Sequence, residues 1–379
     1  MEYLVFLSLF FLLYIYAGYG IVLKTLCLVR KSFPVDSKFE GAKFRLSVII
    51  AAHNEEDVIE NRILNVLECD YPRDSFEVIV ASDRSDDRTN EIVRKYEASQ
   101  VMLVDCQNTT GKSSAQNQAI AHANGDIIVF TDADTRFAPN FLANISAPFS
   151  NSAIGAVDGH LLFESDDLSG VATGQGYYWN YELKLRKLET CLGILAVTSG
   201  GCFAVRRELL KPLPDDVGED CIVPLDVVLQ DHKVVHARNA VAYDRMEAGI
   251  NDELRARARM TLRNWIGTWR RARLLNLLLY PGYAFSLWSH KILRWLSPFF
   301  LIVLTAGVIL LAGSSMFWNV MAGFIVLAYV AGLMGWANEK LSLGMPVVST
   351  VFSFFLANLG FLMGLVWAMF SGRRITAYR

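Results

Sequence analysis

Four long apolar stretches constrain this chain more than any other feature. Residues 3–28 are almost wholly apolar after Glu2, interrupted only by small or hydroxyl residues and Lys24. Residues 296–313, 317–337 and 346–370 have the same character. Each is long enough for the roughly 20 residues with which a helix crosses a bilayer. Hydrophobic residues make up 53% of the 379, yet 20% are charged, and most of those charges fall between the apolar stretches. The chain therefore reads as a soluble domain joined to membrane segments.

The flanking charges orient these segments. The first begins with hardly any positive charge and lacks a small-residue cleavage pattern, which argues against a cleaved signal peptide. Lys24, Arg30 and Lys31 at its end put the following region on the cytoplasmic side. The uncharged link "SSMFWN" is expected outside and the charged "NEKLSLGMP" inside. One crossing followed by three leaves the basic tail, residues 373–379, outside, against the preference of its arginines; a re-entrant segment would remove the conflict. The six cysteines show neither metal-ligand nor disulfide-framework spacing, which fits a reducing compartment. A net charge of −2 gives no electrostatic basis for a nucleic-acid partner.

From Leu46 to about Asp244 the pattern changes to alternation. "LSVIIAAH" (46–53), "FEVIVASD" (76–83), "VMLVDC" (101–106) and "DIIVFTDAD" (126–134) read as strands. Residues 58–70, 88–99 and 112–123 between them read as helices. Such alternation predicts an α/β fold with a mostly parallel sheet covered on both faces. Ligands of such sheets gather at the carboxyl ends of the strands. His53, Asn54 and Glu55 lie at one such end, Asp83 at another, and Asp132 with Asp134 at a third.

Asp132 and Asp134 are like charges one residue apart. Aspartates at a strand end often only form a turn. Two on one face of a strand, however, repel unless a cation sits between them. Mg²⁺ typically takes one or two carboxylates together with phosphate oxygens, so the pair suits a metal–diphosphate. Gly111-Lys112 opens a helix whose positive end and ammonium can both meet phosphate, although Gly-Lys also serves as a plain turn. Glu219-Asp220 enters another helix; it is either a dipole partner or a general base for an attacking hydroxyl. Further on, Arg255, Arg257 and Arg259 alternate, and Arg263, Arg270, Arg271 and Arg273 follow, in a stretch rich in Trp and Leu. That mixture suits a helix lying in the membrane interface among lipid headgroups.

The order "SVIIAAHNEE", "EVIVASDRSDDRT", "GKSSAQNQAI", "GDIIVFTDADTRF", "SGGCFAVRRE" and "GEDCIVPLDVVLQDHKVV" resembles the inverting, nucleotide-sugar-dependent family-2 glycosyltransferases of the GT-A fold. The membrane-embedded cellulose, chitin, hyaluronan and poly-N-acetylglucosamine synthases are the most similar group. The resemblance covers about residues 45–260. It implies a membrane helix (1–30), a linker (31–45), a Rossmann-like GT-A domain (46–245), amphipathic interface helices (246–295), three membrane segments (296–372) and the tail (373–379). It further implies a bacterial inner membrane with the catalytic domain cytoplasmic.

The resemblance also implies site roles. Ala51, His53, Glu55 and Asp83 would line the pocket of a UDP-sugar, with Lys112 near the nucleotide. Asp132 and Asp134 would hold Mg²⁺ or Mn²⁺, with Asp134 the direct ligand. Gly200, Gly201 and Phe203 would face the acceptor. Asp220, beside Glu219, would be the catalytic base. The Gln-x-x-Arg-Trp of the polymerising synthases is absent; "RARMTLRNW" stands nearest, so Arg257, Arg259 or Arg263 would hold the departing diphosphate and Trp265 the acceptor. The expected activity is transfer of a glucose- or N-acetylglucosamine-type sugar to a lipid-linked or polysaccharide acceptor, in polysaccharide synthesis or as a single addition to a lipid. A non-catalytic scaffold would have no need to retain Asp83, Asp132, Asp134 and Asp220 together.

Overall fold

In β1 (Leu46–Ala52) and β2 (Phe76–Ser82), apolar residues run on without polar alternation. Such strands need cover on both faces. A computed structural model, which describes residues 1–35, 39–107, 111–164, 170–245, 249–341 and 345–370, supplies it. Val48, Ile50, Val78 and Val80 pack on Ile59, Ile63 and Val66 of α2 (Ile59–Leu67). Ile49, Ile79 and Ala81 face the other way, onto Ala115 and Ala119 of α4 (Lys112–His122), which follows α3 (Thr89–Arg94).

The described strands form one eight-stranded sheet in the order β3-β2-β1-β4-β7-β6-β8-β5. The half made by β3 (Val101–Asp105), β2, β1 and β4 (Ile127–Asp132) is parallel, as the alternation predicts. The other half is mixed. The short β7 (Phe203–Arg206) is antiparallel to β4 and to β6 (Ile154–Glu164). β8 (Lys233–Arg245) is parallel to β6 and antiparallel to β5 (Arg136–Phe137). Helices α5 (Phe141–Ser146), α6 (Gly170–Leu192) and α7 (Glu219–Leu229) fall within this half.

Around this domain lie α1 (Glu2–Val29), α8 (Ile250–Arg270), α9 (Pro281–Trp295), α10 (Ser297–Leu311), α11 (Met316–Leu341) and α12 (Pro346–Phe370). Helices α1, α11 and α12 are long and apolar enough to cross a membrane, and α9 with α10 adds a fourth candidate if the pair, bent by 54°, counts as one span. The apolar stretch at 296–313 is thus a helix of only 15 residues, about 22 Å long. The residues of the basic tail lie outside those described.

Side-chain contacts fix how these helices run. Phe11 stacks on Phe300 with centroids 4.8 Å apart, and Val5 meets Gly307. Tyr16 Oη and Ser297 Oγ are 3.1 Å apart. At the far end Trp318 Nε1 donates to Glu2 Oε1 at 3.1 Å. Thus α10 runs antiparallel along the first half of α1, and α11 starts beside its N-terminus. The second half of α1 leaves this bundle: Tyr19 and Leu23 are buried against Leu185 of α6. Helix α12 meets α1 at Tyr16, through Phe354 and Asn358. Gly360 and Gly364 then lie against Arg257 and Thr261 of α8, where a Cβ would come within 3.0 and 2.6 Å of those side chains.

A buried ionic cluster ties the two parts together. Glu182 on α6 accepts from Arg186 Nε (3.3 Å), Lys291 Nζ (3.2 Å) and Arg294 Nη1 (2.8 Å). Both ring nitrogens of His290 meet carboxylates, Glu182 at 2.8 Å and Glu189 at 2.7 Å. Tyr19 Oη of α1 donates to Glu189 at 2.6 Å. Burial alone would raise the Glu182 pKa, but His290, Lys291 and Arg294 hold it well below the usual range. Removing one partner from such a cluster leaves a buried charge uncompensated, so the anchoring helices and the sheet are held in a fixed relation.

Candidate active site

The site forms where β1, β2 and β4 end. Gly111, at φ 104°, takes a backbone conformation open chiefly to glycine, and so starts α4 with Lys112 pointing across the sheet edge. The Lys112 ammonium lies 2.5 Å from Asp132 Oδ1 and 2.7 Å from Glu219 Oε1. One cation therefore joins the strand-end aspartate to the acid pair that opens α7. Burial alone would lower the Lys112 pKa, but these two carboxylates outweigh it and hold the ammonium charged. Glu219 is buried; burial would raise its pKa, yet Lys112 and then Arg263 hold it below the ordinary value.

Asp220 behaves differently. Burial, and then the charge of Glu219, push its pKa up, against the opposing pull of Arg263 and Lys112. Two adjacent carboxyls are thus driven apart, one kept ionised and one made more basic, the arrangement that assigns acid–base roles. Arg263 of α8 leans on the loop before them: a Cβ on Gly218 would stand 2.9 Å from its Nη2. That buried Nη2 has no hydrogen-bond partner among the described residues. Arg263, rather than Arg257 or Arg259, is therefore the interface arginine brought to the acid pair. Arg257 is tied to Glu253, with Nε donating at 2.9 Å.

Gly200 and Gly201 lie over both acidic motifs. A Cβ on Gly200 would be 3.7 Å from Asp220 Cγ, and one on Gly201 would be 3.7 Å from Asp132 Oδ2. The turn is held from two sides. Ser199 N donates to Asp158 Oδ1 at 2.8 Å and Arg186 Nη1 donates to Ser199 Oγ at 2.6 Å. Thr131 Oγ1 donates to the Gly201 carbonyl at 2.8 Å and receives a bond from Arg62 Nη2 at 2.8 Å. Phe203 does not join this surface. It is stacked on Phe130 in the core at 5.0 Å, which corrects its expected acceptor contact. Trp265 is half-buried among Trp269 and Trp295.

At the carboxyl end of β1, Ala51 sits in register with Asp132. His53 Nδ1 lies 2.6 Å from the Asp83 carbonyl, and Glu55 N donates to Thr89 Oγ1 at 2.8 Å. Asp83 is fully buried, with Arg84 Nε 3.1 Å from its Oδ1. β4 ends at Asp132, so the expectation that Asp132 and Asp134 share a strand face does not extend to Asp134, which lies in the bend that follows. Asp134 instead lines a cavity of about 260 Å³ with Asn61, Arg62, Arg136 and Asp244. Among the described residues no three His, Cys, Asp or Glu side chains form a ready metal cluster. Two carboxylates fit a divalent ion that takes its remaining ligands from phosphate and water, and the buried Thr135 Oγ1 beside them also has no partner.

Sequence reading missed Arg62, Asp158 and Arg186. Arg62 shares the helix face of Ile59, Ile63 and Val66, a cation on an apolar face, and that was its signal. Burial pulls its pKa down to about 10.

Residues 47–213 match the model of Glycosyl transferase family 2. This stretch is a family 2 glycosyltransferase domain. The chain is 29% identical over 177 residues to a beta-monoglucosyldiacylglycerol synthase of Trichormus variabilis, covering 46% of this chain and 38% of that protein. It is 24% identical over 286 residues to a poly-beta-1,6-N-acetyl-D-glucosamine synthase of Staphylococcus epidermidis, covering 70% and 66%. It thus spans about two fifths of the length of the first of these relatives. Among solved structures, the mannosyltransferase PcManGT from Pyrobaculum calidifontis, in complex with GDP-Man and Mn²⁺, superposes with a TM-score of 0.74 at 21% identity, covering 97% of this chain and 99% of that one. That likeness, through the long apolar helices as well as the sheet, shows the fold to be of the GT-A type.

Because Arg263 opposes the rise of the Asp220 pKa, its removal has a defined sign. In Arg263→Gln the acid limb of the kcat/KM profile should move to higher pH, since the carboxyl must lose its proton to act as a base. An acid limb that stays in place or moves to lower pH would show that Asp220 does not set it.

Proposed function

We propose that this chain is an inverting glycosyltransferase that moves a sugar, of glucose or N-acetylglucosamine type, from a UDP-sugar to a membrane-associated acceptor in glycolipid or polysaccharide synthesis. The observation that carries the reading is the Lys112 bridge from Asp132 to Glu219, with Asp220 adjoining and Gly200–Gly201 packed over both. On this reading the diphosphate seat and the basic carboxylate flank Gly200 and Gly201, whose lack of side chains leaves room for the reacting sugar.

The donor diphosphate lies against Asp132, Asp134 and Lys112, and the base and ribose lie toward Ala51, His53, Glu55 and Asp83. Mg²⁺ or Mn²⁺ held by Asp132 and Asp134 would neutralise the diphosphate and stabilise the charge that develops on the leaving UDP. Arg263, whose buried Nη2 has no hydrogen-bond partner among the described residues, would offer that charge a guanidinium, which suits phosphate oxygens. Asp220 takes the proton of the acceptor hydroxyl as its oxygen attacks the anomeric carbon from the face opposite UDP, so an α-linked donor gives a β-linked product.

The topology follows from the same reading. Helix α12 meets α1 at its midpoint, Tyr16, packs on α11 at Gly332 and Gly335, and lies along the interface helix α8. With α12 counted as interfacial, α1, the bent pair α9–α10 and α11 make three crossings. The tail then returns to the cytoplasmic side of a bacterial inner membrane with the catalytic domain, and its arginines agree with the positive-inside bias.

Asp220→Asn should lower UDP release from a UDP-sugar by about 10²–10⁴-fold, the range for loss of general-base catalysis. Chelation should abolish release in the parent protein, with Mg²⁺ or Mn²⁺ restoring it. Turnover unchanged in that variant would remove Asp220 from the mechanism. For the topology, a fluorescent-protein fusion after Arg379 should be bright and a periplasmic phosphatase fusion inactive; the reverse pattern would mean that α12 crosses.

A further inference from the structure

A second cavity, of about 180 Å³, opens between α6, α8, α9 and α12. It shares walls with the reaction centre. Arg186 lines it and also holds Ser199, next to Gly200 against Asp220. Asn264 lines it and follows Arg263. Phe361 of α12 also lines it.

The lining is chemically selective. Tyr178, Trp179 and Trp295 supply aromatic surface. The electron-rich face of an aromatic ring attracts weakly positive C–H groups, which a pyranose presents on its faces. The charges of the lining are already spent on one another. Arg186 sits 3.0 Å from Asp158 and 3.3 Å from Glu182, Lys291 sits 3.2 Å from Glu182, and Arg257 is held by Glu253. A phosphate bound here would have to break a buried pair and would face Glu182 and Glu253. Neutral hydroxyls can instead donate to Glu253, whose bonds from Arg257 fall on one oxygen, and bond the Asn264 amide. The volume lies below the range of drug-sized pockets and suits a single ring.

We propose that this cavity is the acceptor subsite and that it takes an uncharged glycosyl terminus, either the headgroup of a neutral glycolipid or the end of a growing neutral chain, and excludes lipid phosphates. The assignment rests on the glycosyltransferase reading above. It makes the acceptor, rather than the donor, the substrate that the interface helices select.

The test uses the full chain in lipid nanodiscs with the UDP-sugar that supports turnover, offered glucosyl-diacylglycerol, a neutral β-linked oligosaccharide, or polyprenyl phosphate. At least one neutral acceptor should raise UDP release tenfold or more over the acceptor-free rate, and polyprenyl phosphate should not. Stimulation by the glycolipid alone assigns a lipid headgroup, and stimulation by the oligosaccharide assigns a chain end. Asn264→Leu, whose amide otherwise bonds only within its own helix, to the Met260 carbonyl, should raise the KM of that acceptor about tenfold with the donor KM within twofold. Polyprenyl phosphate as the best acceptor, or an unchanged acceptor KM in Asn264→Leu, overturns the subsite. Absence of UDP release with every donor and acceptor overturns the glycosyltransferase reading itself.

Discussion

One ammonium group holds the site in register. Asp132 ends a central strand, and Glu219 begins a helix nearly ninety residues later; without a cation between them, two carboxylates in a sheltered cleft would drive these elements apart. Lys112 meets both, and Gly111 sets the turn that aims it. The consequence is electrostatic as well as geometric. Glu219, satisfied by Lys112, stays ionised, and its charge with burial makes its neighbour Asp220 a better base. On the proposed reading, the site prepares two sides of one reaction: a charged seat for a diphosphate and a proton acceptor for a hydroxyl.

The second structural commitment is the coupling of the sheet domain to the apolar helices. Glu182 and Glu189 on α6 gather His290, Lys291 and Arg294 from α9, and Tyr19 from α1. Arg186, on the same face of α6, extends this cluster to Asp158 and to the turn before Gly200. The glycine turn over Asp220 is therefore fastened to the apolar helices. On the proposed reading, an acceptor embedded in the membrane would meet a reaction centre tied to those helices.

The alternation of apolar strands and amphipathic helices made the parallel half of the sheet legible, because burial on both faces forces near-continuous runs such as Ile49 to Ala52. The mixed half was not legible. β7 is four residues long, and its antiparallel pairing depends on the core contact of Phe203 with Phe130. Asp132, Lys112, Glu219 and Asp220 could be found because they follow strands or open helices. Asp158, Arg186 and Glu182 could not, since they converge through tertiary packing of a strand and a helix with no shared motif. Arg263 stood among many interface arginines, and only its approach to Gly218 separates it from Arg257. The apolar stretch at 346–370 read as a crossing by composition and is a helix long enough for one; its contact with α8 through Gly360 and Gly364 was not legible.

The central claim is a single displacement at the anomeric carbon, with Asp220 on the side opposite the UDP seat. The most direct measurement is the anomeric configuration of the first-formed product, read by proton NMR from a donor of known α configuration. The account predicts a β-linked product. An α-linked product would contradict it, since retention requires a different attack geometry and a different use of these carboxylates.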